Sequence, residues 1–341
     1  MKIVFLNYYQ NVSDRGAETF VKELAGKIAQ KHQVNIIADS KARPQSQFKP
    51  KFIWRMFLDA QSLAILKFTL KNFGKVWREK YDIVIPLNGG WQPALMRIIT
   101  WLRGGKMIIV GESGIGWDDM NNLWCFPDTF VAISTYAKKW AKKINPFCKV
   151  VYIPNGVDTK RFTPDGSGLK HNLNKPVILT VAALTKSKRI DLVIKAVAGV
   201  ENASLLICGK GEEKDQLQAL GKRLLGNRFK IIEQDYDQMP EVYRSANLFT
   251  LVSTSVHAFE IVLVEAMASG LPVVANQDPI REEIVGDAGY LVNPTEITKY
   301  TEKIQKVLSM NWGDKPHKQA EKFNWDKIST DYENLFNNSH I

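Results

Sequence analysis

Cysteine is scarce in this chain. Three residues, Cys125, Cys148 and Cys208, stand far apart among 341. An odd, scattered set of that kind excludes a disulfide framework and points to a reducing compartment, the cytoplasm. Long apolar runs are missing as well. No stretch approaches the roughly 18 apolar residues needed to cross a bilayer. The opening MKIVFLNYYQ carries one lysine and a short apolar run, without the longer core and small-residue cleavage site of a secretory signal, so it is expected to be a strand. These absences leave a chain in solution or one lying on a membrane surface. Acidic residues are thin in the first half. Residues 1–160 hold 24 Lys and Arg against 12 Asp and Glu, whereas residues 161–341 hold 22 against 23, so the first half carries the whole net charge of +11. Such asymmetry speaks of partners rather than of fold. No short-period repeat or low-complexity tract interrupts the sequence.

What is present is a regular alternation. The chain is 45% hydrophobic, ample for two cores, and short apolar runs alternate with helical patterns throughout. Strands are predicted at 2–8, 33–38, 82–86, 106–110, 129–133 and 149–153, with helices at 17–31, 54–79, 91–102 and 135–143. The Gly-, Pro- and Asn-rich stretch PNGVDTKRFTPDGSGLKHNLNKP then reads as a linker. The second half restarts at 177–183 and continues with strands near 204–208, 229–232, 248–252, 272–275 and 289–291. The fold class is therefore α/β, two doubly wound parallel sheets facing a cleft, with ligands expected at the carboxyl ends of the strands. The expected division is 1–155, a linker at 156–175, 176–315, and C-terminal helices at 316–341 that pack back on the first domain.

The stretch from Tyr243 to Asn276 is the most informative. It reads as a strand at 248–252, a loop at 253–259, a helix at 260–269, a Gly270 stop and a second strand. The helix EIVLVEAMAS is apolar almost all round, hence buried, yet it contains one carboxylate, Glu265. A buried carboxylate without partners costs several kcal/mol, and no Lys or Arg lies one turn away to pair with it. Hydroxyl groups of a ligand would satisfy it, with an anion at the helix start; backbone groups or water would satisfy it equally well.

This segment resembles the signature of the family 4 retaining glycosyltransferases, roughly E-G-F-G-x-x-x-x-E-A-M-A-x-G-x-P-V-V-A. Phe259, Glu265, Ala266, Met267, Gly270, Pro272, Val273, Val274 and Ala275 fall on it. Further matches flank it: KIVFLNYY and RGAETFVKELA at the start, PDTFVAIS and VYIPNGVDTKRF closing the first half, then LTKSKRIDLVIKAV, LLICGKGEE, EVYRSANLF, EEIVGDAGYLVNP and FNWDKI. The resemblance spans nearly the whole chain and implies two Rossmann-like domains of the GT-B type. It implies a nucleotide diphosphate sugar bound by the second domain and an acceptor presented by the first; with no Asp-x-Asp metal motif in the sequence, no metal or other cofactor is expected. Asp235, Tyr236 and Asp237 spell an Asp-x-Asp, but the family would place them at the nucleotide base.

Carried over residue by residue, the resemblance gives Lys188 to the diphosphate and Glu265 to the ribose. The amides of Ile261 and Val262 fall to phosphate or sugar, and Gly16, Gly209 and Tyr236 to the donor site. Fixed cations beside a departing diphosphate lower the barrier. Four departures stand out. The family arginine before Lys188 is Ala183, with Lys186 or Arg189 near enough to replace its charge. The first acidic residue of the signature is His257, and the glycine after Phe259 is Glu260; either residue could meet donor hydroxyls. A first-domain histidine common after the fourth strand is absent. The glycine-rich loop there offers Glu112, Ser113, Asp118 and Asp119, of which Glu112 is the best candidate for the acceptor side. Each of these segments also reads as an ordinary polar turn or solvated loop.

Residues 41–80 carry 10 basic and 2 acidic residues, interleaved with Trp54, Phe57, Phe68, Phe73 and Trp77. That is the pattern of a chain lying on an anionic membrane surface, while some of these aromatics must fill a core. Basic and aromatic mixtures also bind single-stranded nucleic acid, the less favoured partner here. The function expected is sugar transfer from a nucleotide sugar to a hydroxyl of a glycan or lipid-linked acceptor, in the cytoplasm or on the inner membrane face. The alternative is a catalytically weak homologue that binds nucleotide or glycan as a partner subunit, motivated by Ala183, His257 and the missing histidine.

Overall fold

The structure, a computed structural model, describes residues 1–10, 16–39, 56–253 and 259–338. It divides into two units, one of Met1–Asn155 with Trp325–Ile341, the other of Gly156–Val256 with Glu260–Asn324.

In the first unit β1 (Lys2–Leu6), β2 (Gln33–Ile37), β3 (Ile83–Pro86), β4 (Lys106–Val110), β5 (Thr129–Ala132) and β6 (Val150–Tyr152) form one parallel sheet in the order β2-β1-β3-β4-β5-β6. Register pairs Ile3 with Ile83 and Phe130 with Val150. The inner strands are mostly apolar because helices cover both faces, whereas the edge strand β2 carries Gln33 and Asn35. Those helices are α1 (Gly16–Ile28), α2 (Ala60–Glu79), α3 (Trp91–Arg103), α4 (Trp117–Trp124) and α5 (Thr135–Ile144). Asp59 caps α2 by accepting from the amides of Gln61 and Ser62, and Ser134 caps α5 through Ala137.

In the second unit the strands are β7 (Val177–Val181), β8 (Ser204–Cys208), β9 (Phe229–Ile232), β10 (Leu248–Leu251), β11 (Val273–Asn276) and β12 (Gly289–Val292), in the order β12-β11-β10-β7-β8-β9. Around them lie α6 (Ile190–Ala198), α7 (Lys214–Leu225), α8 (Met239–Arg244), α9 (Ile261–Ala268), α10 (Pro279–Val285), α11 (Ile297–Leu308) and α12 (Lys315–Glu321). The chain winds from β7 to β9 in one direction and resumes at β10 on the other side of β7. That reversal opens a crevice outside the carboxyl ends of β7 and β10, where ligands bind in sheets of this kind.

The last helix, α13 (Trp325–Asn337), belongs to the first unit. Its Trp325 and Tyr332 rings pack on Phe20 of α1 at 6.0 and 5.9 Å, and Lys27 and Lys31 pair with Asp326 and Glu333.

Two readings need adjustment. The Gly-rich loop after β4 is short, because WDDMNNLW closes into α4, with Asp118 and Asp119 in its first turn, where carboxylates favour a helix. Of residues 41–80, those at 41–55, including Trp54, lie outside the described residues. In the rest, Phe68 is buried. Phe73 and Trp77 stack at 6.3 Å and pack against the core. The outward side of α2 is left to residues such as Lys67, Lys71, Lys75 and Arg78. Its aromatic rings thus serve the interior, as helical spacing alone could not reveal.

Candidate functional site

In the second unit the crevice is lined from two sides. After β7 the chain runs through Ala182–Thr185 into a tight turn at Lys186–Lys188, then through Arg189 in the left-handed region (φ 41°) into α6. This loop is clamped by Leu184, whose amide donates to the carbonyl of Lys210 and whose carbonyl accepts from the amide of Glu213. A Cβ at Gly209 would collide with the Ala182 carbonyl oxygen and one at Gly211 with that of Leu184. The glycines of LLICGKGEE are therefore required by the close approach of two backbones.

Lys188 reaches across the crevice, its Nζ lying 2.7 Å from both carboxylate oxygens of Glu260. Glu260 precedes α9 with φ 55° and ψ 71°, backbone that costs a non-glycine residue about 1 kcal/mol. Its Oε1 also accepts from Nη2 of Arg281 at 3.2 Å. Arg281 is completely buried; it donates to Asp278 at 2.5 Å and to the Ser253 hydroxyl at 2.9 Å. Asp278 additionally caps α10 by accepting from the amides of Ile280 and Arg281. Arg189, by contrast, is held by both oxygens of its neighbour Asp191, so the second cation at the crevice is Arg281. Sequence reasoning missed it, since an arginine three residues after an Asp-Pro cap carries no signal of burial.

Glu265, on the inner side of α9, is buried and accepts from the Tyr243 hydroxyl at 2.7 Å. Burial and then the Glu265 charge push the Tyr243 phenol well above its ordinary pKa, so it stays a donor. The partner that a one-turn search could not find comes from α8, 22 positions upstream. Tyr243 begins a chain of rings: Phe162 stands 5.8 Å from it and Tyr236 6.0 Å beyond. Over Tyr236 lies the guanidinium of Arg161, 4.2 Å from the ring centre, which also donates to the Tyr236 carbonyl and to Asp237. Ile261 and Val262 form the first turn of α9, where helix geometry leaves amides without intrahelical partners. His257 lies outside the described residues.

The first unit holds a second polar group. Glu112 follows β4 and accepts from the side-chain amide of Asn155 at 2.9 Å, while its Oε1, the Oδ1 of Asn155 and the Tyr332 hydroxyl are buried without partners among the described residues. Burial first, with the nearby Glu18 charge adding to it, pushes the Glu112 carboxyl up to about 7. Asp119, buried in α4, is likewise raised well above the usual carboxylate range by burial. Gly111 must be glycine here, because a Cβ would stand 2.8 Å from the Phe130 ring and 2.9 Å from Asp119. Gly16 opens α1, and the loop before it, 11–15, lies outside the described residues.

A carboxyl whose pKa rises on folding binds protons more tightly in the folded state, so stability falls as pH increases between about 4.5 and about 7. Replacing Glu112 with glutamine removes that cost. Denaturant midpoints at pH 5 and pH 8 should show Glu112→Gln gaining on the wild type at the higher pH, by at most about 3 kcal/mol. Equal midpoints at both values would mean the carboxyl titrates normally.

Residues 15–161 match the family described as Glycosyltransferase Family 4, and residues 165–324 that described as Glycosyl transferases group 1. Among relatives, the GDP-mannose-dependent alpha-(1-6)-phosphatidylinositol monomannoside mannosyltransferase of Mycolicibacterium smegmatis is 22% identical over 328 residues, covering 86% of each chain. The N-acetyl-alpha-D-glucosaminyl L-malate synthase of Bacillus anthracis is 24% identical, over 71% of this chain and 68% of that one. Among solved structures, the sucrose-phosphate synthase of Thermosynechococcus elongatus superposes with a TM-score of 0.78 at 18% identity, over 98% of both chains. Anabaena HepE in complex with UDP-glucose gives 0.73 at 19% identity, over 99% of this chain and 100% of that one. These two likenesses establish the fold.

Proposed function

Since the chain belongs to the family 4, group 1 glycosyltransferases, we propose that it transfers a hexose, with retention of anomeric configuration, from a nucleotide diphosphate sugar to a hydroxyl of a glycan or lipid-linked acceptor. The carrying observation is the convergence of Lys188, Arg281 and the first turn of α9 on the crevice where the second sheet reverses its strand order. A helix start with two cations beside it is a receptor for diphosphate. As the sugar leaves, charge builds on the diphosphate, and fixed cations favour that state over the ground state. Lys188 and Arg281 fill that role in place of a metal.

In this reading Glu265, oriented by Tyr243, accepts from the ribose hydroxyls. The amides of Ile261 and Val262 meet phosphate or sugar, and the aromatic step of Tyr236 under Arg161 lies toward the base. His257 is the residue nearest in sequence for donor hydroxyls, while Glu260 is engaged by Lys188 and Arg281. In the first unit Glu112, with Asn155, receives the acceptor hydroxyl. The setting is polysaccharide or other glycan synthesis at the cytoplasmic side of a membrane. The relatives suggest the donors to try, being GDP-mannose-dependent in one case and crystallised with UDP-glucose in another.

Calorimetric titration with UDP, GDP, ADP and their sugar conjugates tests this without knowledge of the acceptor. One base should bind selectively, and Glu265→Ala should weaken it by at least about 100-fold, since two hydrogen bonds to a charged acceptor are worth about 1.5–3 kcal/mol each. Absence of binding to every nucleotide, or equal binding by the variant, would sink the reading. The second reading, a weakly catalytic nucleotide-binding homologue, is favoured by one observation: the Glu260 carboxylate neutralises Lys188 where the family has glycine. Intact nucleotide binding with negligible turnover over the same donors would select it.

A further inference from the structure

The amino ends of β4, β5 and β6 lie side by side at one end of the first sheet, because these parallel strands are neighbours in register. The three segments that lead into them carry large apolar side chains outward. Trp101 and Leu102 end α3 before β4; Trp101 is 79% exposed. Trp124 and Phe126 precede β5 and pack edge to face at 5.8 Å. Phe147, before β6, is 85% exposed. Single exposed apolar residues mean little, but a group of five on adjacent loops marks an interaction surface.

These loops are braced from beneath. Asp128 accepts from Arg97 of α3 at 2.6 Å and from the Met107 amide at 2.8 Å. Asn145 donates to the Leu123 carbonyl, and Phe130 donates its amide to Lys149. Phe126 itself adopts φ 51°, a strained conformation for an aromatic residue, and keeps its ring outward beside Trp124.

The two segments that bear the rings are mostly basic, although Lys138 and Lys139 open α5 at the other end of the sheet and Asp82 lies beside the start of β4. Arg97, Arg103, Lys106, Lys138, Lys139, Lys142, Lys143 and Lys149 stand in 97–106 and 124–149, against the single acid Asp128, which Arg97 and Lys106 already neutralise. Tryptophan and phenylalanine rings amid unpaired-in-sign cations complement an interface that is apolar below and anionic above.

We propose that this edge of the first unit is a membrane-docking surface, in which Trp101, Leu102, Trp124, Phe126 and Phe147 enter the headgroup region of an anionic bilayer and the surrounding lysines and arginines contact lipid phosphates. The surface is distinct from residues 41–80, where Phe68, Phe73 and Trp77 turn inward. It also lies at the opposite end of the sheet from Glu112 and Asn155, which follow the carboxyl ends of β4 and β6. Docking through it leaves that end of the unit open to water-soluble and headgroup-level ligands.

Co-sedimentation of the full chain with phosphatidylcholine vesicles, with and without phosphatidylglycerol, tests it. Binding is expected only to the anionic vesicles and should weaken with added salt. Trp101→Ser/Phe147→Ser should lower partitioning by roughly tenfold per ring, with the melting temperature and nucleotide titration unchanged. Leu63→Ser/Leu70→Ser, on the exposed side of α2, should bind as the wild type does. Several results would overturn the proposal: no binding to anionic vesicles, loss with the α2 pair instead, or wild-type binding by the ring variant. So would finding that the rings instead support self-association in sedimentation velocity, or single-stranded RNA binding that survives physiological salt. Because nucleotide affinity is read on the same samples, failure here is separable from failure of the transferase reading.

Discussion

Arg281→Met is expected to lower the stability of the chain by about 3–5 kcal/mol, the usual result of removing one partner from a buried ionic group. Arg281 is wholly buried, and the side chains of Asp278 and Glu260 that it binds are 2% and 8% exposed. With Lys188 these four form a neutral set of two cations and two carboxylates. Methionine matches the volume of the arginine stem but leaves two carboxylates facing one ammonium out of water. The variant's carboxylates would then favour their protonated forms in the folded state, so its deficit should shrink as pH falls. Asp278→Asn, added to Arg281→Met, keeps the α10 cap and removes one stranded charge, and should restore a substantial part of the loss. Denaturant midpoints at unchanged slope give the measurement. A single variant within 1 kcal/mol of the wild type, roughly the effect of an exposed ion pair, would mean that the network is not the keystone of this crevice.

Lys188→Ala is expected to lower kcat/KM by about 10²–10³, the loss typical of removing one fixed donor to developing charge. Its effect should fall on the chemical step more than on nucleotide affinity, because the diphosphate gains charge as the sugar leaves. Glu260→Gly should act in the opposite direction on binding. The carboxylate now held 2.7 Å from the Lys188 ammonium occupies the cations that a diphosphate would use, so the ligand must displace it. Glycine removes that competitor, so the nucleotide diphosphate should bind roughly tenfold tighter, about 1.4 kcal/mol. Titration of both variants with the nucleotide that binds the wild type decides the matter. Weaker binding by Glu260→Gly would assign the carboxylate to donor hydroxyls instead of to neutralising Lys188.

Much of the architecture could be read from local pattern. Every strand of both sheets was foreseen to within two residues or so, because a parallel strand covered on both faces is a short continuous apolar run bounded by turn residues, as in KIVFL and SLLIC. The helix bearing Glu265 is legible for a related reason, since an almost unbroken apolar surface is that of a buried helix, but the Tyr243 partner of its carboxylate is not. The helix at Trp117–Trp124 was not, since three nearby glycines dominate its upstream sequence and its stability comes from burying Leu123.

The sequence by itself determined the α/β alternation, the family signature, the positive first half, and the positions of Lys188, Glu260 and Glu265 near strand ends. Those are properties of composition and spacing along the chain. Only the tertiary structure decided which partners these residues have. Tyr243 meets Glu265 across 22 positions and Lys188 meets Glu260 across 72, distances at which no periodicity carries information. Arg281 became visible as a buried cation, and Arg189 as one already engaged by Asp191, for the same reason. Residues remote in sequence converge because the strand order reverses beside β7, and the reversal is set by how helices pack on the sheet rather than by any local run of residues.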